Sequence, residues 1–79
     1  MGSNLQIKLP MRVARQLAAS SPKRFVVQTG YGSKSYDKTY SFDTFAGAFH
    51  HYLCIATHSG YKKRLVDTET GKIEKRYIS

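Results

Sequence analysis

His50, Cys54 and His58 recur every four residues in the segment HHYLCIATH, and imidazole and thiolate are ligands that zinc favours. On a helix this spacing lines them along one face, with the outer two about 12 Å apart at the helical rise. One ion cannot hold all three, and beyond His51 the chain has no other Cys or His to complete a smaller site. The carboxylates Asp37, Asp43, Asp67, Glu69 and Glu74 mostly fall where turns, caps or solvent faces are expected. No Ser or Cys has a context that supplies a base and an orienting group. TGYGSKS (residues 29–35) lacks the Gly-Lys-Ser/Thr that must open a helix around phosphate, because Ser33 separates Gly32 from Lys34. These residues predict a protein that is not an enzyme and has no cofactor or metal.

The remaining chemistry is charge. GYKKRLVDTETGKIEKRY (residues 60–77) places Lys62, Lys63, Arg64, Lys72, Lys75 and Arg76 in one apparent hairpin, beside Tyr61 and Tyr77. Lys and Arg on the solvent face of a sheet can neutralise phosphates and release counterions. The simpler reading is that they keep an edge strand soluble and unpaired. The bias continues in Arg12, Arg15, Lys23, Arg24, Lys34 and Lys38. Tyr31, Tyr36 and Tyr40 add a second surface, in which exposed rings between cations can stack bases or anchor a protein interface. Tyr is also a common strand former, and Tyr40 can pack beneath a helix. The expected contact residues are Tyr31, Lys34, Tyr36, Lys38, Tyr61, Lys62, Lys63, Arg64, Lys72, Lys75 and Arg76.

Thirteen basic against five acidic side chains give the 79 residues a formal charge of +8, which bears on partners rather than fold. Nucleic acid, an acidic protein and an anionic membrane are the classes it admits. Membrane is the weakest, for want of a basic amphipathic helix. A lone cysteine excludes an internal disulfide and suits a reducing compartment. With no apolar run near about 20 residues and no signal peptide, the expectation is a cytoplasmic protein.

The elements that must position these groups follow from periodicity. LQIKL (residues 5–9) alternates as a strand does, while Met11, Ala14, Leu17 and Ala18 repeat at helical spacing after Pro10. That short helix should end before Pro22. Residues 23–31 and 35–42 read as a hairpin across a glycine-containing loop. Residues 41–60 read as one long helix, with Phe45, Phe49, Tyr52, Leu53 and Ala56 as its stripe, Ser41 or Asp43 as cap and Gly60 at its close. YKKRLVD and KIEKRYI form a second hairpin around a turn that ends at Gly71. The fold class is therefore α+β in a single domain. A small antiparallel sheet of two hairpins, a ββαββ core over residues 23–79, carries one long helix on one face, and a short strand and helix precede it in residues 1–22. Phe45, Phe49, Leu53, Val27 and Ile73 are the expected core.

In size, element order and composition, residues 23–78 resemble the small phage-encoded anti-CRISPR proteins. The resemblance implies a non-enzymatic inhibitor, in the host cytoplasm, that docks on a CRISPR effector complex and blocks target DNA binding or nuclease recruitment. Many such inhibitors are acidic and mimic DNA; a charge of +8 forbids that here, so the contact would be an acidic protein surface, guide RNA or DNA. A weaker similarity is to the arm-binding domains of phage integrases, which lay a small basic sheet on DNA. The favoured expectation is the inhibitor, and the alternative is a sequence-tolerant DNA- or RNA-binding module. Either would act as a monomer or as a homodimer paired through a sheet edge.

Overall fold

The run FVVQTG carries side chains suited to a strand on both of its faces, so it is stable only with neighbours on each side and cover on each face. The computed structural model, which describes residues 8–32, 35–55 and 59–78, places it accordingly. The elements are α1 (Met11–Ser20), β1 (Phe25–Tyr31), β2 (Lys38–Phe42), α2 (Phe45–Cys54), β3 (Tyr61–Asp67) and β4 (Lys72–Ile78). They form an α+β fold with a four-stranded sheet in the order β2-β1-β3-β4. Each neighbouring pair is antiparallel.

The register assigns the faces. Val27 opposes Leu65 and Val26 opposes Val66, and successive side chains leave a strand on opposite sides. Val27 and Leu65 pack with Ala48 and Tyr52 of α2, supported by Phe25, Phe42, Phe49 and Ile55. Val66 packs with Leu9 and Ala14, supported by Val13, Leu17 and Ile73, which is the side that α1 covers. Each of the four central strand side chains is fully buried and contributes about 1.5–3 kcal/mol by leaving water.

The helix expected over 41–60 is only the ten residues of α2, and α1, also ten residues, is the short helix expected after Pro10. The cap of α2 is Thr44, whose hydroxyl accepts from the Gly47 amide at 3.1 Å, rather than Ser41 or Asp43. Its last helical residue is Cys54, and Ile55 is already extended at φ −72, ψ 124. Gly60 has φ +80 but serves the turn into β3, not the helix end. Buried Ala48 and Tyr52 form the inward face, while Phe45 and Leu53 are exposed. The helix is apolar nearly all round, so its period did not determine which face turns inward. The chain thus has helices on both sheet faces rather than one long helix on a ββαββ core.

Other expectations hold locally. Ser21 precedes Pro22 in an extended conformation and ends α1. Gly71, at φ +78, closes the β3–β4 turn with its amide on the Asp67 carbonyl at 2.7 Å. Lys8 makes an isolated bridge to Lys72. Leu9 is in no strand, and residues 5–7 of the strand expected at 5–9, with Met1–Ser3, Ser33, Lys34, Ala56 and His58, lie outside the described residues. No helix among the described residues is long and apolar enough to cross a membrane.

Candidate anion-binding face

Residues that oppose each other across a ladder share a face, so the strand register also sorts the basic side chains. Leu65 opposes Lys75 and Lys63 opposes Tyr77, on the α2 side. Arg64 opposes Arg76 and Lys62 opposes Ile78, on the α1 side. The hairpin therefore does not present one basic ribbon.

Lys63 is the clearest correction. It is buried, and its ammonium donates to the carbonyls of Tyr52 at 2.5 Å and Ile55 at 3.3 Å. These are carbonyls at the end of α2, the groups a helix C-terminus leaves without partners. The Nζ atom also sits 4.3 Å from the centre of the Tyr52 ring. Burial pushes its pKa down, opposed by Tyr77 and Cys54. Lys63 is thus turned into the fold, where it closes the end of α2.

Arg64 points the other way. Its Nε donates to Gln28 Oε1 at 2.8 Å, and its guanidinium carbon lies 4.1 Å from the centre of the Tyr36 ring. Gln28, only 8% exposed, is itself held by Thr39 Oγ1 at 3.4 Å. The Lys62 Nζ lies over the same Tyr36 ring at 4.5 Å. Tyr36 can lie this close because Gly30 has no side chain: a Cβ there would meet the Ser35 carbonyl at 3.0 Å and the Tyr36 Cα at 3.2 Å. Burial lowers the Arg64 pKa, as does Arg76, while Tyr36 raises it.

Neither Arg64 nor Arg76 has a carboxylate at ion-pair distance among the described residues. Asp43 is near Lys23, Asp67 and Glu69 are near Arg24, and Glu74 is near Lys72. Like charges placed directly opposite in a ladder destabilise it. A partly buried arginine with its Nε engaged still offers its terminal nitrogens as a fork for a planar or tetrahedral oxyanion. Next to this fork an open groove of about 220 Å³ is lined by Val13, Gln16, Leu17, Ser20, Gln28 and Arg64.

Of the expected contact residues, the structure brings together Tyr36, Lys62, Arg64 and Arg76. Tyr31 and Tyr61 pack edge-to-face at 4.8 Å across the β1–β3 ladder, in register with the Lys63 side of the sheet. Lys38 opposes Thr29 on that same side. Lys75 lies 5.1 Å from the Phe49 ring, and Lys72 is 3.8 Å from Glu74; both sit on β4, where lysines guard the strand against further pairing. Lys34 is outside the described residues. Gln28, Thr39 and the α1 residues of the groove were not expected. The signal for Gln28 was available, since it is an amide at an inward position of the apolar run FVVQTG.

His50 Nε2 and Cys54 Sγ are 3.6 Å apart on the exposed side of α2. No group of three metal-ligating side chains occurs among the described residues. No family model, curated protein or solved structure matches the chain.

Proposed function

We propose that this chain is a non-catalytic binding protein that grips nucleic-acid phosphate through the α1-side face formed by Lys62, Arg64, Arg76 and Tyr36. The observation that carries this reading is the Arg64–Arg76 pair, opposed across the β3–β4 ladder without a carboxylate between them. Arg64 is already oriented by Gln28 and Tyr36, so ordering it against a ligand costs little further side-chain entropy. An oxyanion between the two guanidinium groups removes their mutual repulsion.

The test is the salt dependence of binding to labelled oligonucleotides, with the double variant Arg64→Ala/Arg76→Ala beside the parent. Each phosphate contact contributes roughly 0.7–0.9 to the slope of log K against log salt, so losing the one phosphate held between the two arginines should flatten it by about that much. A slope that does not change removes both arginines from the interface.

A second reading has its own observation. Phe45, Leu53, Tyr31 and Tyr77 are exposed on the molecule, and α2 contains no Asp, Glu, Lys or Arg. Such a surface suits a protein partner, as an anti-CRISPR-type inhibitor docking on a CRISPR effector complex requires. Capture of a host complex that survives nuclease treatment, with no affinity for free nucleic acid, favours this reading over the first.

A further inference from the structure

The groove beside Arg64 has a chemistry that phosphate contact alone does not explain. We propose that it is a pocket for one nucleobase, so that the partner is single-stranded nucleic acid with a phosphate on Arg64 and Arg76 and the neighbouring base seated between α1 and the sheet. This rests on the phosphate-binding reading above and names its substrate class.

Three observations carry it. The volume, about 220 Å³, lies below the roughly 300–1,000 Å³ of pockets that enclose cofactors and drug-sized ligands. It admits one ring system and little more. Val13 and Leu17 give the groove an apolar wall, and both belong to the cluster that packs α1 onto the sheet, so the wall is fixed. The polar lining is of two kinds. Gln28 is buried and held through both ends of its amide, by Arg64 and by Thr39. Gln16 and Ser20 are exposed on α1 and can adapt to the edges of different bases.

An apolar wall, a fixed amide and a guanidinium edge suit a flat heteroaromatic ring. Adaptable rim groups suit tolerance of sequence, as stacking-based binding does. A duplex does not offer such a ring without unstacking it, at a cost of a few kcal/mol; a single strand presents it splayed and unpaired. Arg12 and Arg15, exposed on the same helix, extend positive charge along the covering element.

Fluorescence anisotropy at physiological salt distinguishes the outcomes. The probes are a labelled mixed-sequence single strand, an abasic strand of the same length and the corresponding duplex. The abasic strand and the duplex should each bind about tenfold more weakly than the single strand, the scale of burying one ring's apolar surface against an aliphatic wall. A 2-aminopurine placed in the single strand should change its fluorescence on binding, and Leu17→Ala should shrink the difference between base-bearing and abasic strands. The aminopurine readout uses the unaltered protein, so a Leu17→Ala chain that does not fold leaves the test intact. Equal affinity for base-bearing and abasic strands, or for the duplex, overturns the base pocket and leaves phosphate binding standing. Absence of binding to all three overturns both.

Discussion

The β3–β4 turn and the opposite end of the same ladder treat their cations differently. At the turn, Arg24 donates from Nε and a terminal nitrogen to the two oxygens of Asp67, at 2.9 and 2.8 Å, and its terminal nitrogen lies 3.5 Å from Glu69. The Asp67 carboxylate also accepts from the Glu69 amide at 3.0 Å. At the other end Arg64 meets an amide, an aromatic ring and a second arginine. Charge at the turn is satisfied within the chain and holds the fold. At the other end Arg64 and Arg76 have no carboxylate at ion-pair distance among the described residues, which is the charge the proposed ligand would meet. Of the five carboxylates in the chain, Asp67, Glu69 and Glu74 lie at or near the turn.

The largest expected loss of stability comes from breaking the satisfied end. Asp67→Ala removes a nearly buried acceptor of three charge-assisted bonds and should cost about 2–3 kcal/mol, less than their sum because Arg24 can rehydrate. At about 4–8 °C per kcal/mol for a domain of this size, thermal melting should register it clearly, while the salt slope of binding stays unchanged. The same contact gives a pH signature. Hydrogen bonds from Arg24 hold the Asp67 carboxyl below the usual carboxylate range, against the opposing effect of burial. Its stabilising contribution is therefore complete above the usual carboxylate pKa and is lost as pH falls through the lower folded value. In Asp67→Ala that part of the acid dependence should disappear. A melt with no change would mean the pair is too hydrated to matter.

Next in size is the contrast between neighbours. Lys63 and Arg64 are adjacent in sequence, yet one closes the end of α2 and the other faces the groove. Lys63→Ala leaves the Tyr52 and Ile55 carbonyls without their ammonium and should cost about 1–2 kcal/mol. It should not change the salt slope. The triple replacement of Lys62, Lys63 and Arg64 should accordingly remove at most two phosphate contacts, not three. A reduced slope for Lys63→Ala alone would break the division between the two sheet faces.

Period and turn chemistry made the strands, the Gly71 turn and the first helix legible in the sequence, since each is a local preference that packing reinforced. The length and inward face of α2 were not. FAGAFHHYLC is apolar nearly all round, and the carbonyls at its end are met by Lys63, eight residues beyond Ile55 on the next strand. For the site, Lys62, Lys63 and Arg64 were all expected to make contact, although strand alternation puts Lys62 and Arg64 on one face and Lys63 on the other. Alternation did not show that Lys63 would be the one turned under a helix, because that depends on which sheet face α2 covers. The groove was illegible for a similar reason: α1 and β3 are distant in sequence, and only Gln28, out of place among apolar neighbours, marked the spot.

Arg64→Met should change stability least, and it sharpens the comparison most. Replacing the guanidinium loses its hydrogen bond to Gln28 and a cation–π contact worth about 1 kcal/mol. It also relieves a partly buried charge set opposite Arg76. These effects have opposite signs, and the net change should stay within about 1 kcal/mol, while the salt slope falls by nearly one. An arginine retained for stability behaves like Asp67, with a large loss on replacement and no effect on binding. One retained for a ligand does the reverse. Thermal melting and salt titration of the same Arg64→Met sample separate the two, and a melting loss as large as that of Lys63→Ala would assign Arg64 to the fold.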